Sequence, residues 1–239
     1  MADSPSLQPC CVLAIGPHPD DIEIAAAGTL LLLIAGGRSV SLLDCTRGEM
    51  GSRGTVADRD AEATAAAAKL GVLERSNLGL PDTGVRVDDD NTNLIVGALR
   101  QARPTLLLAP HLRDVHPDHT AVAQLTERAF FLAGLRNYEP HLGAPHRPRL
   151  FLRYPGNVPV EPSLVVDISA VAAAKAEVVR CYRSQLNPSD RSHLVQGLDL
   201  LERGEVRDRF YGARSGVMAA ESFWHDGPVR VQDLGLLLG

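Results

Sequence analysis

Short apolar runs alternate with Ala- and Leu-rich stretches along most of the chain, and polar turns separate them. Residues 10–16 are almost continuously apolar and too short for a helix, so they predict a buried first strand. The Ala- and Leu-rich stretch 23–35 predicts a helix ended by Gly36-Gly37. Residues 39–44 alternate and carry Val and Leu, the pattern of a second strand. An Ala-rich helix follows over 58–70, ended by Gly71. Residues 76–80 give a weak third strand before the turn Pro81-Asp82-Thr83-Gly84. Residues 93–103 predict a helix stopped by Pro104. The apolar run 105–109 reads as a fourth strand buried on both faces, and 120–132 as a helix.

Repeated strand and helix argue an α/β fold, a Rossmann-like doubly wound and mostly parallel sheet with helices on both faces. In the usual order 3-2-1-4, strands one and four are neighbours at the switch point, where ligands bind. Beyond strand four, 137–148 reads as loop, and 149–154 and 164–168 as strands. Asp167 and Ser169 are expected to cap a helix over 170–184. Residues 190–218 read as charged helix, followed by a tail with Trp224 and the apolar run 234–238. The expectation is a single domain over 1–239, with its core at about 10–185 and a C-terminal extension over about 186–239.

Composition narrows the classes. The 239 residues are 45% hydrophobic and 22% charged, enough to bury a core without a staple. The net charge is -5 and no basic run stands out, so no nucleic-acid partner is expected. Cys10, Cys11, Cys45 and Cys181 form no CxxC pair and read as reduced thiols. Residues 1–9 lack a signal-peptide pattern, and the apolar stretch 24–37 is too short to span a membrane. A cytoplasmic protein without membrane association is expected.

The chemistry gathers in two runs. His18-Pro19-Asp20-Asp21-Ile22-Glu23 follows the first strand, and His116-Pro117-Asp118-His119 follows the fourth. So many acids in one turn repel one another and lose hydration unless a cation compensates. Taken alone, the first run is also what a solvated acidic helix N-terminus looks like. Two such runs, each after a buried strand and about a hundred residues apart, meet at the switch point and favour a metal. Imidazole with carboxylate suits Zn²⁺, with Fe²⁺ or Mn²⁺ as alternatives. The spacing assigns His18, Asp21 and His119 as ligands and leaves Asp20 beside the metal as base. His116, as an imidazolium oriented by Asp118, is expected to stabilise an oxyanion.

The two runs together resemble the LmbE-like or PIG-L-like family of zinc-dependent N-acetylglucosaminyl deacetylases. Within it, the chain is most similar to the bacillithiol-biosynthesis deacetylases acting on N-acetylglucosaminyl-malate. The likeness includes Thr46-Arg47-Gly48-Glu49-Met50-Gly51, Gly54-Thr55, Arg59 with Glu62, Leu80-Pro81-Asp82, Tyr182-Arg183-Ser184-Gln185 and Tyr211-Gly212 with Gly216-Val217. It runs from about residue 10 to about 235 and matches poorly over 187–203. The resemblance implies zinc on His18, Asp21 and His119, Asp20 as general base and His116 as the electrophilic or acid partner. It implies Arg59 as a contact to the sugar or malyl end, and a homo-oligomer, up to a hexamer.

Glu49 is a further candidate for substrate binding, or for holding loop amides. Relatives often carry Arg directly before the second motif, where this chain has Val115. Either Arg113 replaces it as an anion contact or the substrate differs. The expected reaction removes an N-acetyl group from a small glucosaminyl substrate. Another N-acyl substrate, such as a mycothiol-like conjugate, a chitooligosaccharide or an antibiotic precursor, is the alternative within enzymes. A non-catalytic metal- or sugar-binding protein is the alternative outside them. Phosphatases and nucleases with acidic clusters usually need two metals, and ligands for one are present.

Overall fold

Alternation along the strands divides the core into two layers. Val12 and Ala14 face one side of the sheet, and Leu13 and Ile15 the other. The structure, a computed structural model, describes residues 7–186 and 199–230. Five parallel strands run in the order β3-β2-β1-β4-β5: β1 Val12–Gly16, β2 Val40–Thr46, β3 Glu74–Leu80, β4 Leu106–Pro110 and β5 Leu150–Tyr154. Val12 pairs with Val40 on one flank and Leu106 on the other, so β1 and β4 are the neighbours expected at the switch point.

Helices α1 (Asp21–Ala35) and α2 (Val56–Leu70) cover the Val12 face. Helices α3 (Asp89–Ala102) and α4 (Pro117–Leu132) cover the Leu13 face. The doubly wound α/β sheet expected from the pattern is the fold observed. Its strand ends move by one or two residues from the expected bounds, as element ends generally do.

The C-terminal part departs further from expectation. Strand β6 (Leu164–Asp167) is followed by α5 (Ala172–Val179), α6 (Leu200–Ser215) and β7 (Ala220–Phe223). The expected helix 170–184 is shorter, and Asp167 and Ser169 do not cap it. Asp167 instead accepts the backbone and hydroxyl hydrogens of Ser169, and Val171 precedes the helix without a side-chain cap. The expected charged helix ends at Gly216, whose φ of 76° stops α6 in the left-handed conformation. The next residues form β7, antiparallel to β6, and Trp224 bridges to Arg153 at the sheet edge. Residues 187–198 and 231–239, with the apolar run 234–238, lie outside the described residues. No described helix is long and apolar enough to cross a membrane.

Candidate active site

The first motif occupies the turn from β1 into α1. Asp20 precedes the helix with φ 115°, a strained backbone for a residue with a side chain. That turn points Asp20 and Asp21 in different directions. The second motif makes the start of α4. His116 is its N-cap, taking the Asp118 N–H on Nδ1 at 3.2 Å, and Pro117 stands at the first helical position. The three imidazoles of His18, His116 and His119 lie with ring centroids 4.8 to 5.5 Å apart.

Asp21 Oδ2 lies 3.0 Å from His18 Nδ1 and 3.2 Å from His119 Nε2. These three residues offer ligand atoms within 4.8 Å of one another. Each imidazole's other nitrogen meets a carboxylate. His18 Nε2 lies 3.1 Å from Asp82 Oδ1 and 3.2 Å from Asp118 Oδ2. His119 Nδ1 lies 3.2 Å from Asp114 Oδ2, misaligned for a hydrogen bond. Such outer carboxylates hold the ring proton away from the centre and leave a lone pair facing it, so the residues present fit a divalent cation.

A second trio, His18, His116 and Asp118, is also close enough to share an ion. It is the poorer donor set. Asp118 Oδ2 already accepts the Thr83 N–H at 2.7 Å, and His116 Nδ1 is taken by the Asp118 amide.

Charge follows the geometry. Burial opposes a charge on His18, but Asp118, Asp21 and Asp82 outweigh it and push the ring up to about 12. Asp21 and Asp114 overcome the same opposition at His119 and lift it to about 9. Burial lifts Asp20 to about 7 against the Arg59 guanidinium at 3.2 Å.

Two expected roles change. Asp118 does not orient His116 with its carboxylate. That group reaches His18 and the amides of Thr83 and Val85, because α4 turns it toward the loop after β3. His116 is therefore no imidazolium held by Asp118. Burial and the neighbouring rings His18 and His119 lower its pKa, and an accepting Nδ1 places the ring proton of the neutral form on Nε2.

The substrate candidates separate as well. Arg59 is buried, donating to Pro19 O and pairing with Asp20, and it is among the residues that line the groove. Glu49 accepts the Asp82 amide at 2.8 Å, so it ties the Gly-rich loop to the β3 turn. Arg113 is exposed and is not among the groove's lining residues. The groove has a volume of about 190 Å³ and is lined by His18, Asp20, Gly51, Arg59, Asp82 and His116 among others.

Asp82 and Asp114 are the residues that motif spacing passed over. Each follows a strand's carboxyl end, and that position was their signal. Gly156 is the other omission: a Cβ there would collide with Asp114 Oδ2 and come within 2.6 Å of His119 Nδ1. Behind the motif, Glu23 accepts from the Tyr182 hydroxyl and pairs with Arg75, which grips Asp44 with two nitrogens. Glu23 thus braces α1 from beneath.

Comparison with known proteins adds a family. The PIG-L family, GlcNAc-PI de-N-acetylase, matches residues 13–130. A diacetylchitobiose deacetylase of Thermococcus kodakarensis is 33% identical over 190 residues, 75% of this chain and 71% of that enzyme. A probable N-acetyl-alpha-D-glucosaminyl L-malate deacetylase 2 of Bacillus subtilis is 28% identical over 73% of this chain and 82% of its own. The solved structure of a conserved protein from Thermus thermophilus superposes with a TM-score of 0.83 at 39% identity, covering 93% of this chain and 97% of that one.

Proposed function

The chain belongs to the PIG-L family of GlcNAc de-N-acetylases, and from that premise we propose a zinc-dependent deacetylase of a small, neutral N-acetylglucosaminide. Its relatives support the broader class directly: it is a deacetylase of N-acetylglucosamine-type substrates. His18, Asp21 and His119 would hold the metal, and the observation that carries this is the carboxylate behind each imidazole.

Bound there, zinc would polarise the amide carbonyl and acidify a water. Asp20 takes the proton from the attacking water. Arg59 keeps Asp20 aimed into the groove, since its guanidinium is anchored on Pro19 O. His116 donates Nε2–H to the oxygen that gains charge, and a donor already in place needs no reorganisation. Asp20, protonated by the first step, can pass that proton to the leaving amine.

Two aglycones compete. N-acetylglucosaminyl-malate, the expectation from sequence, has the support of the malate deacetylase relatives at 28% and 27% identity. A second neutral sugar has the support of the chitobiose deacetylase at 33%. The groove favours the neutral aglycone. Among the described residues Arg59 is the one guanidinium in its lining and spends Nη2 on Pro19 O and Asp20, Arg113 stands outside it, and Val115 beside His116 is 75% exposed.

An amine-release assay tests this on N-acetylglucosaminyl-malate, free N-acetylglucosamine and diacetylchitobiose, with zinc, iron and manganese compared. Higher kcat/KM on chitobiose than on the malate conjugate is expected. A tenfold preference for malate would restore the charged aglycone.

A further inference from the structure

The metal donors can be approached from two sides. The groove described above contains His18, Asp20 and His116 but not Asp21. A second cavity, of about 310 Å³, has Asp21 at its inner end and Gly156 beside it. Asp21 meets the His18 amide and both imidazoles through Oδ2, and the same residue lines this second space. Gly156 lines the cavity and lies directly against the His119–Asp114 pair, where no side chain would fit.

The cavity wall is apolar where it is free to interact. Ile24, Leu200, Val206 and Phe210 contribute hydrocarbon. The polar residues are turned to protein partners. Arg207 donates to Pro155 O, Gly156 O and Ile24 O, and Arg203 donates to Asn157 Oδ1. The Asn157 amide donates to Asp114, and the Tyr211 hydroxyl to Val160 O. With their heads engaged, the arginines present their stems. Arg207 is engaged through both terminal nitrogens and Arg203 through one, so what the described residues leave to a ligand is mostly hydrocarbon, and an alkyl chain would find contact on several sides.

The geometry points to this cavity as the site of the substrate's acyl chain, and to N-acyl groups longer than acetyl as substrates. The inference rests on the deacetylase reading above. A scissile amide at the donors has two ends. The polar groove, with Gly48, Gly51, Asp82 and Thr83, suits a sugar. The apolar cavity takes the opposite end. Its volume is at the lower limit of small-molecule pockets, about 300 Å³, and the two carbons of an acetyl group leave most of it empty. Hydrolysis is unchanged in balance: water adds across the C–N bond, giving the free amine and the longer carboxylic acid.

The test uses N-acetyl-, N-butyryl- and N-hexanoylglucosamine with the zinc-loaded wild type and Val206→Trp, which narrows the cavity from an exposed position. Binding of the same amides to Asp20→Asn is measured by calorimetry. Wild type should hydrolyse the butyryl amide within about tenfold of the acetyl one, and Val206→Trp should cut the hexanoyl-to-acetyl ratio at least about tenfold, the scale of closing off two or more methylenes. Asp20→Asn should bind tighter by about threefold per buried methylene. Steeper discrimination against butyryl, or a ratio unmoved by Val206→Trp, overturns the inference. An unmoved ratio with a changed oligomeric state would assign this face to a second copy of the chain. Failure to release amine from any substrate would count against the deacetylase reading instead, and the binding series would then decide the cavity. Equal or weaker binding of the hexanoyl amide refutes it.

Discussion

Two clusters of buried charge lie along α1, one at its middle and one at its N-terminal end, and they close their charge differently. At the middle, Lys175 Nζ stands 2.7 Å from both Asp208 Oδ2 and Glu221 Oε1. The two oxygens of Glu221 also accept the amides of Gly28 and Thr29 at 2.8 and 2.7 Å. The Lys175 ammonium, the neighbouring buried Arg207 guanidinium and two amides answer two carboxylates. At the N-terminal end, Asp20, Asp21, Asp82, Asp114 and Asp118 face His18, His119 and, among the described residues, the single guanidinium of Arg59. Imidazoles can supply the missing positive charge only by holding protons. A cluster that stays short of fixed cations is one that a divalent ion can complete, whereas a cluster that neutralises itself has a structural task.

The sharpest way to break this comparison is to remove the fixed cation. Lys175→Met keeps the stem and leaves two carboxylates buried together. It should destabilise the fold by roughly 3–5 kcal/mol, the scale for stranding a buried partner. Denaturant unfolding with and without zinc measures it. A loss below about 1 kcal/mol would mean that water or backbone, not Lys175, neutralises the pair.

Next in size is Asp20→Asn, which preserves shape and removes basicity. We expect zinc content to stay at one per chain and kcat to fall at least about 10²-fold, or about 2.7 kcal/mol of activation free energy. Turnover that survives with zinc present would show that Asp20 is not the base. Loss of zinc with activity would make Asp20 a ligand and Asp21 the candidate base.

A third test asks whether the outer carboxylates act on the metal. Asp118→Asn can keep its one oxygen on the Thr83 N–H, gives up the long contact from the Val85 N–H because an amide NH2 cannot accept it, and removes the negative charge behind His18 Nε2. Zinc affinity should fall about 10- to 100-fold, the usual cost of an altered outer partner. Competition with a chromogenic chelator reads it directly, and unchanged affinity would detach Asp118 from the metal's support.

Much of this arrangement could be read from the chain. Strand periodicity and the positions of the two motifs placed His18 and His119 on adjacent strand ends, because the topology rules leave few ways to order a doubly wound sheet. What escaped depends on side-chain direction. Asp118 follows His116 by two residues, so proximity in sequence paired them, but the first turn of α4 sends the two side chains apart and gives His116 only the Asp118 amide. Asp82 and Asp114 stand in turns whose residue types also suit ordinary loops, and only the tertiary fold brings them to the imidazoles. Gly156 carries no side chain to notice. Strand β7 is four residues, Ala-Glu-Ser-Phe, with Glu221 drawn inward by Lys175, so its polar and apolar order does not announce a strand.

The smallest expected effect belongs to Arg113. The family resemblance made it a candidate anion contact, standing two residues ahead of the position where Val115 replaces the usual arginine. In the fold its backbone N–H donates to His111 Nδ1 at 3.0 Å, and the residue lies outside the groove lining. Among the described residues, no buried partner depends on its guanidinium. A solvated charge in that position contributes little to a bound anion, because water screens it and the flexible stem loses entropy on ordering. Arg113→Ala should therefore change kcat/KM by about twofold or less on chitobiose and on the malate conjugate alike, within the roughly 0.5 kcal/mol range of surface substitutions. Measuring both substrates in one preparation makes the test selective. A loss confined to the malate conjugate, and shrinking as added salt screens the charge, would mean that Arg113 swings into the groove when an acidic aglycone arrives. The comparison would then sharpen in the other direction, with the N-terminal cluster of α1 drawing a mobile cation from the loop as well as a metal ion from solution.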